Sequence, residues 1–150
     1  METIASFEVD HTVLTPGIYL SRVDWGIRTY DLRVTVPNRD FLPNPAMHTI
    51  EHLFAVHARN GAEGEKVIYF GPMGCRTGFY LLMRTTPRDV VLAQIKKVFS
   101  QIVNHDGPMF GATRKECGNY RELSVGAARV EATTYLAVLE GQTEIPDYPN

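Results

Sequence analysis

Cysteine is scarce in this sequence, long hydrophobic runs are missing, and neither sign of charge predominates. The only cysteines are Cys75 and Cys117, so a disulfide framework is excluded, and in a reducing compartment even one disulfide is not expected. No apolar run approaches the length of about 20 residues that a membrane-spanning helix needs. The first ten residues carry Glu2, Glu8 and Asp10 in place of the basic and apolar segments of a secretory signal. We therefore expect a cytoplasmic protein without membrane contact, whose thiols are candidates for chemistry or metal binding.

The charge balance argues against a nucleic-acid partner. The chain carries 15 Lys and Arg against 17 Asp and Glu, a net charge of -2, without a basic block or basic residues interleaved with aromatic ones. It also shows no internal repeat, low-complexity tract or linker. A chain of this length buries about 70% of its unfolded surface in one core, so residues 1–150 are expected to form a single domain.

Hydrophobic periodicity predicts strands and helices that are grouped along the chain. Alternation favours a strand at residues 28–36, and a short extended run after Pro16 indicates another at 17–23, with a hairpin connection at 24–26. Two more strands are predicted at 66–70 and 78–84, around a glycine-rich bend. Apolar residues at helical spacing predict helices at about 44–60, 86–104 and 124–139, with N-caps at Asn44 and Thr86. The predicted class is α+β, a single domain with a largely antiparallel sheet packed against about three helices, because strands and helices do not strictly alternate.

Two histidines on the first long helix form the clearest chemical pattern. His48 and His52 are about one turn apart, so both imidazoles reach one side of the helix and can bind one metal ion. Glu51 projects at a neighbouring angle and can reach a group bound to the metal without being a ligand. The alternative is a pair of solvated surface histidines. His57 and His105 have no such neighbours in the sequence and are expected to be ordinary surface residues.

Each cysteine has glycine beside it. Cys75 lies in GPMGCRTG, where glycines let the backbone approach a ligand and Arg76 favours a thiolate; a buried small hydrophobe is the alternative. Cys117 would complete a site with His48 and His52, since a catalytic metal site usually has three protein ligands and one open position. Sulfur together with imidazole suits zinc or ferrous iron rather than magnesium or calcium. The alternative for Cys117 is a loop cysteine without a role.

Five segments together resemble the S-ribosylhomocysteine lyases of the LuxS family. They are SFEVDH at residues 6–11, YDLR at 30–33, HTIEHLFA at 48–55, GPMGCRTGFY at 71–80 and ECGNYR at 116–121. They occur in the order and at about the spacing of that family, across most of the chain. Tyr69 and Gly71 are departures, because the family commonly has an acidic residue and a serine at these places.

The resemblance implies metal ligands, two general acid/base residues and a set of substrate-site residues. The metal ligands would be His48, His52 and Cys117. The general acid/base residues would be Glu51 and Cys75, and the substrate-site residues would be Ser6, His11 and Arg33. It further implies one divalent metal per subunit, with ferrous iron as the natural metal and zinc or cobalt as substitutes, and no organic cofactor. The implied assembly is a homodimer with active sites at the interface, each receiving the partner's N-terminal segment.

The implied reaction converts S-ribosylhomocysteine to homocysteine and 4,5-dihydroxy-2,3-pentanedione, the precursor of autoinducer-2. Two isomerisations move the carbonyl from C1 to C3, and loss of the C4 proton then expels homocysteine by β-elimination. A Lewis-acid metal would stabilise each enediolate, while Cys75 and Glu51 would transfer protons on its two faces. Arg33 would hold Cys75 as a thiolate by charge. The alternative is a solvated strand arginine that pairs with Asp31.

Two other functions are compatible with the motifs. The HxxEH pattern also occurs in inverted-zincin metallopeptidases, although these use a distant acidic third ligand and a much larger chain. A non-catalytic metal-binding module would instead have a closed site with four ligands. Loss of metal on replacing Cys117 would exclude the first alternative, and an open coordination position would exclude the second.

Overall fold

In the computed structural model, which describes residues 1–149, four α-helices and four strands follow one another along the chain. They are α1 (Ala5–Glu8), β1 (Gly17–Asp24), β2 (Ile27–Arg33), α2 (Asn44–Arg59), β3 (Val67–Pro72), β4 (Gly78–Met83), α3 (Arg88–Val103) and α4 (Val125–Glu140). The strands form an antiparallel sheet in the order β1-β2-β4-β3. The predicted α+β class with a largely antiparallel sheet is confirmed.

Both hairpin loops contain residues in the left-handed backbone region. Trp25 at φ 51° and Gly26 at φ 78° connect β1 to β2, as in the two-residue turns that match the twist of the strands. The loop between β3 and β4 contains Arg76 at φ 65°. At the start of β4, a Cβ on Gly78 would overlap the carbonyl oxygen of Leu32, so glycine allows the close approach of β4 to β2. This contact brings the loop at residues 73–77 beside the end of β2.

One face of the sheet packs against the three long helices. Tyr30 and Leu32 of β2 and Phe79 of β4 are fully buried in a common core with helical residues. The helices contribute apolar residues at helical spacing: Ile50, Leu53 and Phe54 from α2, Val91, Leu92, Ile95, Val98, Phe99 and Ile102 from α3, and Ala128, Ala132, Tyr135 and Leu139 from α4. Within residues 1–149, no helix combines the length and the apolar character needed to cross a membrane.

The two predicted N-caps, Asn44 and Thr86, are both wrong. α2 begins at Asn44 itself, and Pro43 precedes it, so Asn44 is inside the helix and its side chain caps nothing. α3 likewise follows Pro87 directly, which leaves Thr86 one residue too early to cap it. A proline at this position has no side-chain acceptor, but its fixed φ suits the entry to a helix. Ser124 does cap α4, where its hydroxyl accepts the N–H of Ala127 at 3.2 Å.

The second strand is shorter than predicted, and its polar face is not solvated. β2 ends at Arg33, because the N–H groups of Val34 and Thr35 both donate to the carbonyl of Thr77, at 2.9 and 3.1 Å, instead of continuing the ladder. Asp31 and Arg33 alternate with the apolar core residues as expected, yet both are buried. The C-terminal segment runs along the free edge of β1 and covers this part of the sheet.

Candidate metal and proton-transfer site

The three predicted metal ligands lie together. His48 and His52 face the same side of α2 with ring centroids 4.8 Å apart. Cys117 comes from the loop that precedes α4, and its Sγ lies 3.4 Å from His48 Nε2. One ligand atom from each of the three residues lies within 4.8 Å of the others. The helix therefore supplies two donors by its own periodicity, and a distant loop adds the third.

The donor set fits a transition-metal ion. Tetrahedral bonds of the usual Zn–N and Zn–S lengths place ligand atoms about 3.3 to 3.6 Å apart, close to the observed sulfur–nitrogen separation. His52 Nδ1 lies 3.0 Å from the carbonyl oxygen of Phe110, and His48 Nδ1 lies 2.9 Å from Glu122 Oε1. Both partners are acceptors, so each Nδ1 carries the proton and each Nε2 lone pair is free for a metal. Three ligands of this kind leave one coordination position open.

Backbone hydrogen bonds and a glycine turn position the loops around the three candidate ligands. The N–H of Cys117 donates to Thr113 O at 3.1 Å, and Cys117 Sγ accepts the N–H of Asn119 at 3.4 Å. Gly111 has φ 63°, and a Cβ there would lie 3.0 Å from the Nδ1 of His52. Glycine at position 111 thus allows a left-handed turn directly against a candidate ligand.

Cys75 lies in the turn between β3 and β4, with its side chain exposed. Its Sγ lies 3.1 Å from the hydroxyl of Thr77. The neighbouring Arg76 does not supply the expected positive charge, since its guanidinium bonds Leu42 O at 3.1 Å and stacks 4.4 Å from the Phe41 ring. Those contacts tie the turn to the segment that enters α2, the helix of the two histidines.

The cation connected to Cys75 is instead Arg33. Its guanidinium donates to the Thr77 hydroxyl at 2.7 Å and to Asp31 Oδ2 at 2.6 Å, in a pair whose side chains are 2% and 0% exposed. Tyr148, from the C-terminal segment, donates to the same Asp31 oxygen at 2.6 Å. The Asp31–Arg33 pair that was the alternative interpretation of Arg33 therefore exists, but it is buried rather than solvated. A hydrogen-bonded chain runs from Cys75 through these groups to Tyr148.

The pKa shifts of Arg33 and Tyr148 agree with this hydrogen-bonded chain. Burial by itself would lower the pKa of Arg33, but the Asp31 carboxylate outweighs it and holds that pKa above its ordinary value. Burial and the Asp31 charge raise the pKa of Tyr148 far above the usual range for a phenol. Arg33 is accordingly charged and Tyr148 neutral at any physiological pH, which keeps a fixed positive charge behind Thr77 and Cys75.

The remaining predicted site residues, Glu51, Ser6 and His11, lie in three different surroundings. Glu51 is half-buried on α2, and within residues 1–149 its carboxylate makes no hydrogen bond or ion pair. Ser6 lies in α1, near Ser21 and Tyr80 on the outer face of the sheet. His11 bonds only the nearby carbonyl of Val9, at 2.8 Å. No hydrogen bond described for residues 1–149 joins Ser6 or His11 to the three metal-site residues of the same chain.

The two departures from the family pattern are sterically coupled. Tyr69 and Gly71 are two residues apart in β3, so their positions share one face of the strand. The Tyr69 ring lies over Gly71, and a Cβ at position 71 would overlap the Tyr69 hydroxyl. A glycine at 71 is what allows the tyrosine ring at 69 to adopt this position.

Two histidines that were expected to be ordinary surface residues pack behind the site. His57 and His105 have ring centroids 6.0 Å apart, and both contact the ring of Phe110, at 5.5 and 5.1 Å. Burial, with a smaller contribution from His105, lowers the pKa of His57. The prediction is wrong because residues 57 and 105 meet only in the folded chain. They support the backbone whose Phe110 carbonyl holds His52.

These features define a small α+β protein in which His48, His52 and Cys117 could hold one metal ion and the Cys75 thiol lies in a separate turn. The sequence model of the S-Ribosylhomocysteinase (LuxS) family matches residues 4–145, and the chain belongs to this family. Proteins named S-ribosylhomocysteine lyase are similar over almost their whole length. Those of Borreliella afzelii (strain PKo) and Clostridium acetobutylicum are 45% and 43% identical, over 96% of both chains in each case. That of Finegoldia magna is 44% identical over 93% of this chain and 92% of its own.

Proposed function

We propose that this protein is a metal-dependent lyase that cleaves S-ribosylhomocysteine to homocysteine and 4,5-dihydroxy-2,3-pentanedione. The observation that carries the proposal is the convergence of His48, His52 and Cys117, with Glu51 on the same helix, in a chain of this family. The names of the relatives give the substrate, and the donor set provides for the chemistry that this substrate needs.

His48, His52 and Cys117 would hold one divalent metal, and ferrous iron is the ion we propose, with zinc or cobalt as functional substitutes. A metal bound there supplies Lewis acidity that polarises an oxygen of the sugar. No organic cofactor is needed, because the reaction only moves protons and breaks one carbon–sulfur bond. The remaining steps belong to the side chains of the protein.

Cys75 and Glu51 are the proposed proton carriers. In each isomerisation a base removes a proton next to the carbonyl, and an acid returns one to the neighbouring carbon. Thr77 joins Cys75 to the buried Arg33 guanidinium, and Glu51 has no other described partner to compete for its protons. After the carbonyl reaches C3, removal of the C4 proton breaks the C5–S bond. The departing sulfur takes up a proton to leave as homocysteine.

Arg33 is the best supported of the proposed substrate-site residues. Its Nε is buried and has no hydrogen-bond partner within residues 1–149, although its two other nitrogens are engaged. A buried donor without a partner is costly unless a ligand satisfies it. Thr77 joins Cys75 to the same guanidinium through two hydrogen bonds, so a sugar oxygen that accepted the Nε–H of Arg33 would lie beside Cys75.

Ser6 and His11 are proposed to act in the site of a second subunit, in a homodimer. Two observations support this. Their segment lies away from the metal-site residues of its own chain, and large apolar side chains near it are exposed, including Ile4 and Phe7 at 55% and 77%. Exposed apolar residues of this kind favour a protein interface. We also propose a cytoplasmic location, which the two free cysteines support.

Thiol release tests the proposed reaction. Purified protein loaded with Fe²⁺ or Co²⁺ is incubated with S-ribosylhomocysteine, and homocysteine is titrated with a thiol reagent while the dione is trapped and identified. Equal amounts of both products are expected. Glu51→Gln should bind the substrate but release at least about 100-fold less thiol per unit time, because an amide cannot carry the proton. No thiol release by the metal-loaded parent protein would refute the proposal.

Mixed dimers test the shared site. His11→Ala and Cys75→Ala are each expected to be inactive, because each removes one group from every site. In a mixed dimer one site collects both lesions and the other collects none, so random co-assembly should restore roughly a quarter of the parental activity. No recovery at any mixing ratio would show that each site is complete within one chain.

A further inference from the structure

The carboxylate of Glu122 bonds one of the candidate metal ligands, whereas the other histidine has a backbone carbonyl as its partner. Glu122 Oε1 lies 2.9 Å from His48 Nδ1. We propose that Glu122 is a positioning residue that orients His48 and strengthens metal binding through that imidazole. This inference rests on the proposed function, because it takes His48, His52 and Cys117 as the metal ligands.

Glu122 is held in place from two sides. It ends the 3₁₀ turn Tyr120–Glu122, and its N–H donates to Asn119 O at 3.2 Å. Two residues later, the N–H of Ser124 donates at 2.8 Å to the hydroxyl of Thr49, which is next to His48 on α2. The same loop carries Cys117, so a single short segment delivers both a thiolate and a carboxylate to one helix. The carboxylate is therefore positioned by the fold and does not depend on a flexible surface contact.

The two imidazoles have unlike partners. His52 donates to the neutral carbonyl of Phe110, whereas His48 donates to a carboxylate. Hydrogen bonds to an ionised acceptor are roughly twice as strong as neutral ones. A carboxylate on the outer nitrogen fixes the tautomer of a metal-binding histidine and makes its inner nitrogen a better donor. We therefore expect His48 to be the more strongly donating of the two imidazole ligands.

The local charge leads to the same conclusion. A divalent ion with the Cys117 thiolate would leave one positive charge in a partly buried site, and the Glu122 carboxylate would offset it. An ion pair serving only the fold would behave differently. The side chains of His48 and Glu122 are 17% and 27% exposed, and a pair with only a structural role would stabilise the fold without strengthening metal binding.

Metal affinity separates these two roles. The dissociation constant for Co²⁺ is measured at about pH 8 by competition with a chelator, since proton competition for the ligands is weak there. Loss of an outer carboxylate partner typically costs 10- to 100-fold in affinity, so Glu122→Leu should weaken Co²⁺ binding by about that factor. Glu122→Gln retains an acceptor without the charge and should lie between parent and Glu122→Leu. The cobalt–thiolate absorption band should persist in both variants, because Cys117 is unchanged.

Glu116→Gln is the matched control. It removes an equal charge from the same loop, but the Glu116 carboxylate accepts from Thr113 at 2.7 Å and bonds no imidazole. Its Co²⁺ affinity should stay within about threefold of the parent's, because the exposed Glu116 carboxylate bonds none of the candidate ligands and solvent screens its charge. Melting temperatures of the metal-free variants report on the fold separately. A pair with only a structural role would lower the melting temperature and leave the affinity unchanged.

Parent-like affinity in a folded Glu122→Leu variant would overturn the inference. Should that variant fail to fold, Glu122→Gln decides, and an unchanged Co²⁺ affinity there would have the same consequence. Failure of the parent protein to bind one Co²⁺ per chain would instead refute the proposed metal site itself. The two failures are therefore distinguishable in one set of titrations.

Discussion

The metal region and the Cys75 region are built in opposite ways. The candidate ligands His48, His52 and Cys117 are all partly exposed and are joined to each other mainly through the ion they would share. Behind Cys75, by contrast, Arg33 and Asp31 form a fully buried pair that holds together without any ligand. Each candidate ligand is therefore held by its own neighbours, whereas the Asp31–Arg33 pair is part of the folded core.

This difference suits the two kinds of chemistry. A metal site must leave a coordination position open to the substrate, so its ligands lie at the surface of α2 and of a loop. A thiolate needs a fixed positive charge, and a charge is most effective where water is excluded. Cys75 and the three candidate ligands are all at least partly exposed, whereas the ion pair behind Cys75 is fully buried.

The largest expected effect is a difference in metal content between the two inactive cysteine variants. Cys117→Ala should lose both the metal and turnover, because it removes a ligand. Cys75→Ala should keep the metal and the fold but lose at least about 100-fold in thiol release, because it removes only a proton carrier. Elemental analysis and the thiol assay check both. Full metal occupancy in Cys117→Ala would contradict the ligand assignment, and near-normal turnover in Cys75→Ala would make that residue structural.

The next effect concerns stability in the Cys75 region alone. Asp31→Leu leaves the Arg33 charge buried without its partner, which should lower the free energy of unfolding by about 3 to 5 kcal/mol. Urea unfolding of the metal-free protein measures it. Asp24→Asn is the control, since its pair with Arg22 at 2.9 Å is 56% exposed on both sides and should be worth less than about 1 kcal/mol. Equal effects of the two changes would remove the distinction between a buried and a solvated pair.

A smaller effect is expected where this chain departs from its family. Gly71→Ser places a Cβ against the Tyr69 hydroxyl and should destabilise the protein by about 1 kcal/mol, because the exposed ring can partly move away. Adding Tyr69→Asp should relieve that cost, so the two changes are non-additive in a double-mutant cycle. Tyr69→Asp should leave the reaction itself unchanged. Appearance of lyase activity only after that change would mean that the present chain is a degenerate relative.

The smallest effect is a pH dependence that belongs to the metal region. Burial lowers the pKa of His57, so the unfolded chain takes up a proton more readily than the folded one. The stability from neutral His57 is complete above the unfolded pKa of about 6.5 and is lost as the pH falls through the lowered folded-state pKa. His57→Phe should therefore reduce the loss of stability of metal-free protein on acidification. His11→Gln, whose ring is outside this cluster, should not, and identical pH profiles for parent and His57→Phe would contradict the prediction.

Much of the fold was predictable because its signals are local. The three long helices and their buried faces follow from periodicity, and the strands of both hairpins from alternation or from short runs beside proline and glycine. The caps at Asn44 and Thr86 were wrong because the prolines beside them set the helix start instead. The short α1 was not predicted, since four residues do not make a periodic signal. The roles assigned to Glu51, Cys75, Ser6, His11 and Arg33 stay predictions for the experiments above.

The sequence by itself determined the helix that carries His48 and His52, and with it one pair of converging imidazoles, because residues four apart share one side of any α-helix. Only the tertiary structure decided what surrounds them. Cys117 reaches His48 across 69 residues of chain, Glu122 reaches it across 74, and Tyr148 meets Asp31 across 117. Such contacts have no period in the sequence, since they depend on how the helices and loops pack against the sheet. The histidine pair is thus a property of local geometry, whereas the approach of Cys117, the support of the pair and the charge behind Cys75 are properties of the whole fold.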